Sequence, residues 1–256
     1  MKLRQFALLT LLSASTFFFY ASVLNAKKEH GLTDLMLAVK KGDSDAVAAL
    51  LKAGSEVNAR DDFGMTALMW AAAVNRADIL QALLQAGADV NVKNNSGYTA
   101  LTHAADLNHG GIAKILLKAG ADPRIKDSSG STVLKHAISR GSIELIKSLI
   151  EAGINVDAEE NAGILVQPAY KGQSEIVRIL LDAGAGVNAK DLADEYQATA
   201  LMRASMAGHT AIVKALLAAG ADVNAEDIDG DKALRYAELG DHSEIIQLLK
   251  EAGADD

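Results

Sequence analysis

Apolar residues recur along this chain with a period of about 33 residues, the length scale of a repeat architecture. A leucine and an Ala-Gly pair keep a constant phase, with the leucine always 19 residues before the glycine. The leucines stand at positions 35, 68, 101, 134, 165, 201 and 234, and the glycines at 54, 87, 120, 153, 184, 220 and 253. Because the 19-residue spacing never changes, the irregular intervals must arise in the segment before each leucine.

Each repeat predicts two short helices and a turn. In residues 66–90, Thr66 can cap a first helix whose apolar face holds Leu68 and two alanines. After a turn near Asn75, apolar residues return at helical spacing between positions 79 and 84. Gly87 suits the left-handed residue that ends a helix, and the Asn-Ser-Gly before the next threonine favours a hairpin turn. Helices this short need neighbours, so the repeats should stack into a solenoid.

Seven repeats account for the sequence after its N-terminal segment. The pattern therefore predicts an all-α repeat fold, a solenoid of about seven helix-turn-helix units over residues 27–256, with no room for another domain in this sequence. The units are expected at about 31–60, 61–93, 94–126, 127–159, 160–190, 191–226 and 227–256.

The repeated motif resembles the ankyrin repeat. The family pattern runs Asp-x-x-Gly-x-Thr-Pro-Leu-His, then Ala-Ala, Gly-His, Ile-Val, Leu-Leu and Gly-Ala-Asp-Val-Asn. The resemblance covers essentially all of residues 31–256, and it implies a curved stack of helix pairs with β-turn fingers projecting from it. The residues that carry it are Asp61, Gly64, Thr66, Leu68, Ala71 and Ala72 in one unit, and Gly208, His209, Ile212, Val213, Leu216, Leu217, Gly220, Ala221, Asp222, Val223 and Asn224 in another.

Departures from the family pattern cluster in two adjacent units. The family's Pro and His are absent from sequences such as Thr-Ala-Leu-Met. Unit 160–190 lacks the threonine and two finger residues, and places Pro168 within the first helix. Unit 191–226 carries three extra residues around 191–197. We expect a local break in the regular surface where these two fingers meet.

The N-terminal segment is expected to be separate from the repeats. Residues 1–26 begin with Lys2 and Arg4, continue without charge from 6 to 24, and end Leu-Asn-Ala. This order is typical of a secretory signal peptide, with cleavage expected after Ala26. An uncleaved anchor is the alternative, because the 19-residue run is just long enough to span a bilayer. By family habit, the expected location is the periplasm of a Gram-negative bacterium, or its inner membrane with the repeats facing the periplasm.

Composition narrows the classes of partner. The chain has a net charge of −8 and no cysteine. Removing Lys2 and Arg4 leaves 23 basic against 33 acidic residues, a net charge of −10. This charge argues against binding to a nucleic-acid backbone, favours a monomer, and suggests a basic or polar protein partner. Without cysteine, disulfides and thiolate metal sites are excluded. After signal cleavage we expect no insertion into a membrane.

No catalytic motif stands out. The sequence has no phosphate-binding glycine loop, and no His-Glu-x-x-His, Gly-x-Ser-x-Gly or calcium-loop pattern. The three Gly-His-type histidines at 109, 209 and 242 are interpreted as ties between neighbouring loops. Joint metal binding by His103 and His136 is disfavoured, because stacked repeats are about 10 Å apart. We therefore expect no enzyme, cofactor or metal site; a pocket between the two irregular fingers is the only place left for one.

Candidate partner-binding residues are those that vary while their neighbours repeat. Two residues after each landmark leucine the series reads Leu37, Trp70, His103, His136, Gln167, Arg203 and Tyr236. The resemblance places this position on the concave side, and Trp, Tyr and Arg are enriched in binding hot spots. Core packing of Trp70 is the competing interpretation. The candidate set is Phe63, Met65, Trp70, Tyr98, His103, His136, Gln167, Arg203 and Tyr236.

Together these observations favour a non-catalytic protein–protein interaction module in the cell envelope. It would bind a partner protein of unknown identity through its concave face and fingers. A membrane-tethered scaffold, and an inhibitor or regulator of an envelope enzyme, are the alternatives.

Overall fold

The structure is a computed structural model, and it describes residues 30–158, 161–191 and 196–255. The expected signal peptide or anchor, residues 1–26, lies outside the described residues. Within the described ranges, no helix is both long enough and apolar enough to cross a membrane. The unit boundaries stay a prediction.

Seven helix pairs make up the described part of the chain, which confirms the all-α repeat fold. The first helices are α1 (Asp34–Lys41), α3 (Ala67–Ala73), α5 (Ala100–Asp106), α7 (Val133–Arg140), α9 (Val166–Tyr170), α11 (Ala200–Met206) and α13 (Ala233–Leu239). The second helices are α2 (Ser44–Lys52), α4 (Ala77–Gln85), α6 (Gly110–Lys118), α8 (Ile143–Glu151), α10 (Ser174–Asp182), α12 (Thr210–Ala218) and α14 (Ser243–Glu251).

Five of the seven first helices begin at a threonine whose hydroxyl accepts a backbone N–H of the first turn. Thr66 Oγ1 accepts the backbone N–H of Met69 at 3.3 Å, as the sequence predicts. The same contact is made by Thr33, Thr99, Thr132 and Thr199. The predicted helix end is also confirmed, because Gly87 follows α4 with a φ of 86° and donates to the Leu84 carbonyl.

Both helices of each pair contribute buried residues to the core. Alanines on the first helices, such as Ala71 and Ala104, are fully buried and let neighbouring helices approach closely. The second helices contribute larger apolar residues, such as Leu80 and Leu149. Neither set could be buried within one pair, so each pair depends on its neighbours.

Two compact units divide the described part of the chain. The first comprises residues up to 104 together with 111–121, and within it α1 packs on α3 and α2 on α4. The second comprises 105–110 together with the residues from 122 onwards. Within it α7, α9, α11 and α13 pack in one row, and α8, α10, α12 and α14 in another.

Asparagines at the end of the Val-Asn pair that follows the second helices join adjacent repeats. The Asn58 side chain donates to the Gly87 carbonyl at 3.3 Å and accepts the Asp89 N–H at 2.8 Å. Asn224 makes the equivalent pair of contacts with Gly253 and Asp255. Each amide thereby satisfies backbone groups left free at the end of the following repeat's second helix.

The repeat formed by residues 160–190 is the least regular of the seven. Its first helix has only five residues, and its N-cap, Leu165, makes no side-chain capping bond. Pro168 is buried in the first turn of α9, where no backbone N–H is needed, so the helix tolerates it. The extra segment of the next repeat falls partly on residues 192–195, which lie outside the described residues.

Candidate functional site

Each regular finger is a hairpin held by one acidic or amide side chain at its base. We use finger for the five-residue segments 61–65, 94–98, 127–131 and 227–231. In the first of these, Asp61 Oδ1 accepts the backbone N–H groups of Phe63 and Met65, both at 2.9 Å. Asn94, Asp127 and Asp227 each accept two N–H groups in the same way. The finger tips are therefore presented on a stiff base.

The second polar atom of that base side chain contacts the residue nine positions later. Trp70 Nε1 donates to Asp61 Oδ2 at 3.0 Å, and Tyr236 Oη donates to Asp227 Oδ2 at 2.5 Å. His136 Nε2 lies 2.8 Å from Asp127 Oδ2. His103 Nε2 lies 3.3 Å from the Asn94 amide. These four residues belong to the predicted partner-binding set, and each of them also connects its first helix to the finger of the same repeat.

Hydrogen bonds at two of the finger bases lower the pKa of a buried carboxyl group. Burial by itself would raise the pKa of Asp227, but the Tyr236 hydroxyl and three backbone N–H groups outweigh it and lower that pKa below its usual value. Asp127 behaves alike, with Ser129 and His136 as its side-chain partners. Burial and the adjacent Asp227 carboxylate raise the pKa of Tyr236 far above that of a free phenol.

Phe63, Met65 and Tyr98 occupy different depths near the first two fingers. Phe63 is 53% exposed and lies 5.1 Å from the His30 ring, centroid to centroid. Met65 is buried, with its sulfur 3.3 Å from the Asn94 amide nitrogen. Tyr98 is half-buried and packs edge-on against His103. Met65 therefore contributes packing, and Phe63 is the most exposed of the three.

Trp70 is half-buried, so it is neither a fully buried core residue nor a fully exposed binding residue. One ring edge is engaged with Asp61, and Lys40 Nζ lies 4.2 Å from the ring centroid. Among the remaining predicted residues, Gln167 is exposed, Arg203 is half-buried and Tyr236 is buried. All of these contacts lie within the chain, so the predicted partner-binding set stays a prediction.

A cleft lies beside the shortened finger of repeat 160–190, mainly between that repeat and repeat 127–159. The break expected between this finger and the extra segment at 191–197 falls partly outside the described residues and stays a prediction. The cleft has a volume of about 290 Å³ and is lined by Ser129, Lys135, His136 and Gln167, with Asp191 at its edge. The Ser129 hydroxyl donates to Asp127 at 2.6 Å instead of to His136. Serine and histidine are therefore not paired as a nucleophile and its base would be.

Two of the three histidines predicted to tie neighbouring loops do join adjacent repeats. His209 Nε2 lies 3.0 Å from the Tyr170 carbonyl oxygen, and His242 Nε2 lies 3.2 Å from that of Met206. Across the described residues, no cluster of three His, Asp or Glu side chains could hold a metal ion.

Comparison with known proteins identifies the repeat. The family model described as ankyrin repeats (3 copies) matches residues 35–127, 119–191 and 190–256. The chain belongs to the ankyrin-repeat family. Ankyrin repeats are generic protein–protein interaction modules, and their fold is typically a non-catalytic scaffold.

Two solved ankyrin-repeat domains resemble the chain over most of its length. The ankyrin repeat domain of Bcl-3, a member of the IκB protein family, has a TM-score of 0.75 and 27% identity, and covers 87% of this chain and 100% of its own. The human ASB11 ankyrin repeat domain has a TM-score of 0.73 and 24% identity, and covers 88% and 100%. No curated protein gives a significant match.

The structure also exposes apolar residues that lie outside the predicted partner-binding set. Leu239 ends α13 with 62% of its surface exposed, and Ile228 at the last finger tip is 60% exposed. Tyr170 has the same repeat position as Leu239, five residues after the landmark leucine. Comparing that position between repeats could have found Tyr170, Met206 and Leu239 from the sequence alone.

Proposed function

We propose that this chain is a non-catalytic protein-binding module of the cell envelope, which holds a partner protein against its fingers and first helices. The stiff finger bases carry the proposal. The two N–H groups accepted by each base side chain, and its contact nine residues later, fix the tips before any partner arrives. A preordered surface loses little entropy on docking.

We place the module outside the cytoplasm, in the periplasm of a Gram-negative bacterium. The support is the order of residues 1–26, a basic start, an uncharged run and a small-residue end. The length of that run favours a second candidate function, a scaffold tethered in the inner membrane with its repeats facing the periplasm. Regulation of an envelope enzyme by occlusion is a special case of the first function.

Affinity capture from the envelope tests the proposal. The chain would be produced with its own N-terminal segment and a C-terminal tag, and proteins cross-linked to it in the soluble envelope fraction would be identified by mass spectrometry. The matched control replaces the exposed tips by Phe63→Ser and Ile228→Ser, which leave the base contacts of both fingers intact. A protein captured by the unaltered chain and lost with the control variant is the expected result.

Two results would contradict parts of this proposal. A chain that is recovered only from the cytoplasm, with residues 1–26 uncleaved, would contradict export. An intact chain retained in washed membranes, with no protein lost on changing the tips, would favour the tethered scaffold.

A further inference from the structure

The last three repeats expose a concentration of large apolar side chains. Seven such side chains are exposed in the described part of the chain, and four belong to residues 160–255. These are Tyr170, Tyr196, Ile228 and Leu239, with exposed fractions of 51%, 41%, 60% and 62%. All four lie in the second compact unit.

The four side chains lie along two rows. In the finger row, the Ile228 N–H donates to the Tyr196 carbonyl at 3.0 Å, so these residues are neighbours. In the helix row, Tyr170 and Leu239 hold equivalent positions near the ends of α9 and α13, and both helices pack against α11. Met206 holds the same position on α11 and is half-buried.

Arg203 connects the two rows. Its guanidinium carbon lies 5.2 Å from the Tyr196 ring centroid, and its Nη1 lies 4.0 Å from the Met206 sulfur. The finger row and the helix row therefore belong to one surface. We call Tyr170, Tyr196, Met206, Ile228 and Leu239 the C-terminal apolar face.

The negative charge of the chain is concentrated in the last two of these three repeats. Residues 191–256 contain 14 acidic and 5 basic residues, a net charge of −9, whereas residues 27–190 contain 19 acidic and 18 basic residues. Two of the five basic residues are engaged, because Lys214 pairs with Glu244 at 2.9 Å and Lys232 with Asp255 at 2.6 Å.

Acidic side chains also adjoin two of the exposed apolar residues directly. Asp229 follows Ile228 at the finger tip, and Glu238 precedes Leu239 at the end of α13. Both carboxylate residues are exposed. A partner covering the face would therefore bring its own charges close to these carboxylates.

We infer that the C-terminal apolar face binds a cationic amphipathic segment of a partner protein, one in which lysine or arginine flanks large apolar side chains. This inference rests on the proposed function and names the chemistry of its partner. Apolar side chains would cover Ile228, Leu239 and the tyrosines, since burial of such surface drives association. The flanking cations would complement the surrounding carboxylates. The same charge repels a nucleic-acid backbone or an anionic lipid surface.

A random dodecapeptide library displayed on phage tests the inference with the purified full chain as bait. Enriched peptides are expected to carry net positive charge together with two or more large apolar residues. A fluorescein-labelled copy of the dominant peptide would then be titrated by fluorescence anisotropy. Ile228→Ser with Leu239→Ser should weaken its binding about tenfold or more, and the matched control Phe63→Ser, on the first unit, should change it less than about twofold.

A charge variant separates electrostatic from apolar contributions. Asp229→Asn with Glu238→Gln keeps the shape of both side chains and removes two charges. It should weaken binding of the cationic peptide several-fold and flatten its dependence on salt concentration, because screening acts on the charges alone. Circular dichroism and the Tm would confirm that each variant is folded.

Four results would overturn the inference. Enrichment of acidic or uncharged peptides would do so, as would peptides that need Phe63 but not Ile228 or Leu239; both leave the proposed function standing. Binding to phosphatidylglycerol vesicles that is lost with Ile228→Ser and Leu239→Ser would assign the face to a membrane instead. No enrichment by the folded chain would count against both the inference and the proposed function.

Discussion

Trp70 Nε1 donates a hydrogen bond of 3.0 Å to Oδ2 of Asp61, nine residues earlier in the chain. The Asp61 carboxylate is buried, and its other oxygen already holds two backbone N–H groups of the finger. The indole therefore provides a hydrogen-bond donor for the second oxygen of this buried carboxyl group. Its loss would leave an oxygen without a partner, which costs more than the bond itself contributes.

Replacing this indole tests its structural role. Trp70→Phe keeps an aromatic ring and removes the N–H, so it should lower the free energy of unfolding by about 1–3 kcal/mol in urea denaturation. Phe63→Leu on the same finger is the control, and its exposed side chain should change stability by less than about 0.5 kcal/mol. Equal stability of Trp70→Phe and the unaltered chain would show that the Asp61 contact contributes nothing.

Acid should destabilise the fold through the finger carboxylates. The pKa of Asp227 is lower in the folded chain than in the unfolded one, because its hydrogen bonds outweigh the effect of burial. Unfolding then takes up a proton as the pH falls, so this stabilisation is present above about pH 4 and is lost below it. Tyr236→Phe removes one of the hydrogen bonds that lower the pKa of Asp227.

The variant should therefore be less stable than the unaltered chain at pH 7, and the difference should narrow at pH 3. Thermal unfolding at both pH values measures it, with the exposed Tyr170→Phe as the control. A difference that is the same at pH 3 and pH 7 would contradict the role given to this hydroxyl. At alkaline pH the stability should instead fall as the pH rises, because the pKa of Tyr236 is raised in the folded chain. Its stabilising contribution should decline above about pH 10.

A buried hydroxyl in α11 should be replaceable with a gain. Ser205 is fully buried, and its Oγ has no hydrogen-bond partner among the described residues. The equivalent positions in two other repeats are Ala72 and Ala105. Ser205→Ala should raise the free energy of unfolding by about 1 kcal/mol, since it removes an unsatisfied polar group.

Ser148→Ala is the matched comparison for Ser205→Ala. Ser148 is also a buried helical serine, but its hydroxyl donates to the Glu144 carbonyl at 2.8 Å. This substitution should be neutral or destabilising. If both variants were equally stabilised, helix propensity alone would explain the gain.

The shortened finger depends on a close backbone approach at Gly163. A Cβ there would lie 2.4 Å from Asp191 Cα, and the φ of 70° already disfavours any side chain. Gly130 has a similar φ of 81° but open space around it. Gly130→Ala should cost about 1–2 kcal/mol for the left-handed conformation alone.

Gly163→Ala should cost clearly more than Gly130→Ala, because the Asp191 backbone must also move. Urea denaturation of the two variants side by side measures the difference. Equal costs would mean that the backbone at Asp191 can move at little cost in free energy, and that the cleft beside Gln167 is deformable.

The phase of the leucines and glycines was sufficient to predict the helix pairs, because both residues have one role in every repeat. Leu68 and its equivalents enter the core, and Gly87 and its equivalents end a helix. The predicted Thr66 cap and the Gly-His contacts of His209 and His242 are local consequences of the same pattern.

The candidate site was harder to predict from the sequence, because variation between repeats has more than one physical cause. Trp70, His103, His136 and Tyr236 differ in type, yet each contacts the base of its own finger. A side chain with an N–H or O–H, nine residues after Asp or Asn, was the signal that could have shown this. Met65 is buried because the neighbouring finger packs against it. This burial arises only when repeats stack, so the sequence of a single repeat does not predict it.

The contacts between repeats made by the asparagines that follow the second helices run in one direction. Asn58, Asn91 and Asn224 each donate to the glycine carbonyl at the end of the next repeat's second helix. Deleting repeats from the C-terminal end therefore leaves these contacts in place in the repeats that remain. Deleting them from the N-terminal end uncaps the helix at the new boundary. Shortened versions of this protein should thus tolerate trimming unequally from its two ends, with the C-terminal cut the gentler one.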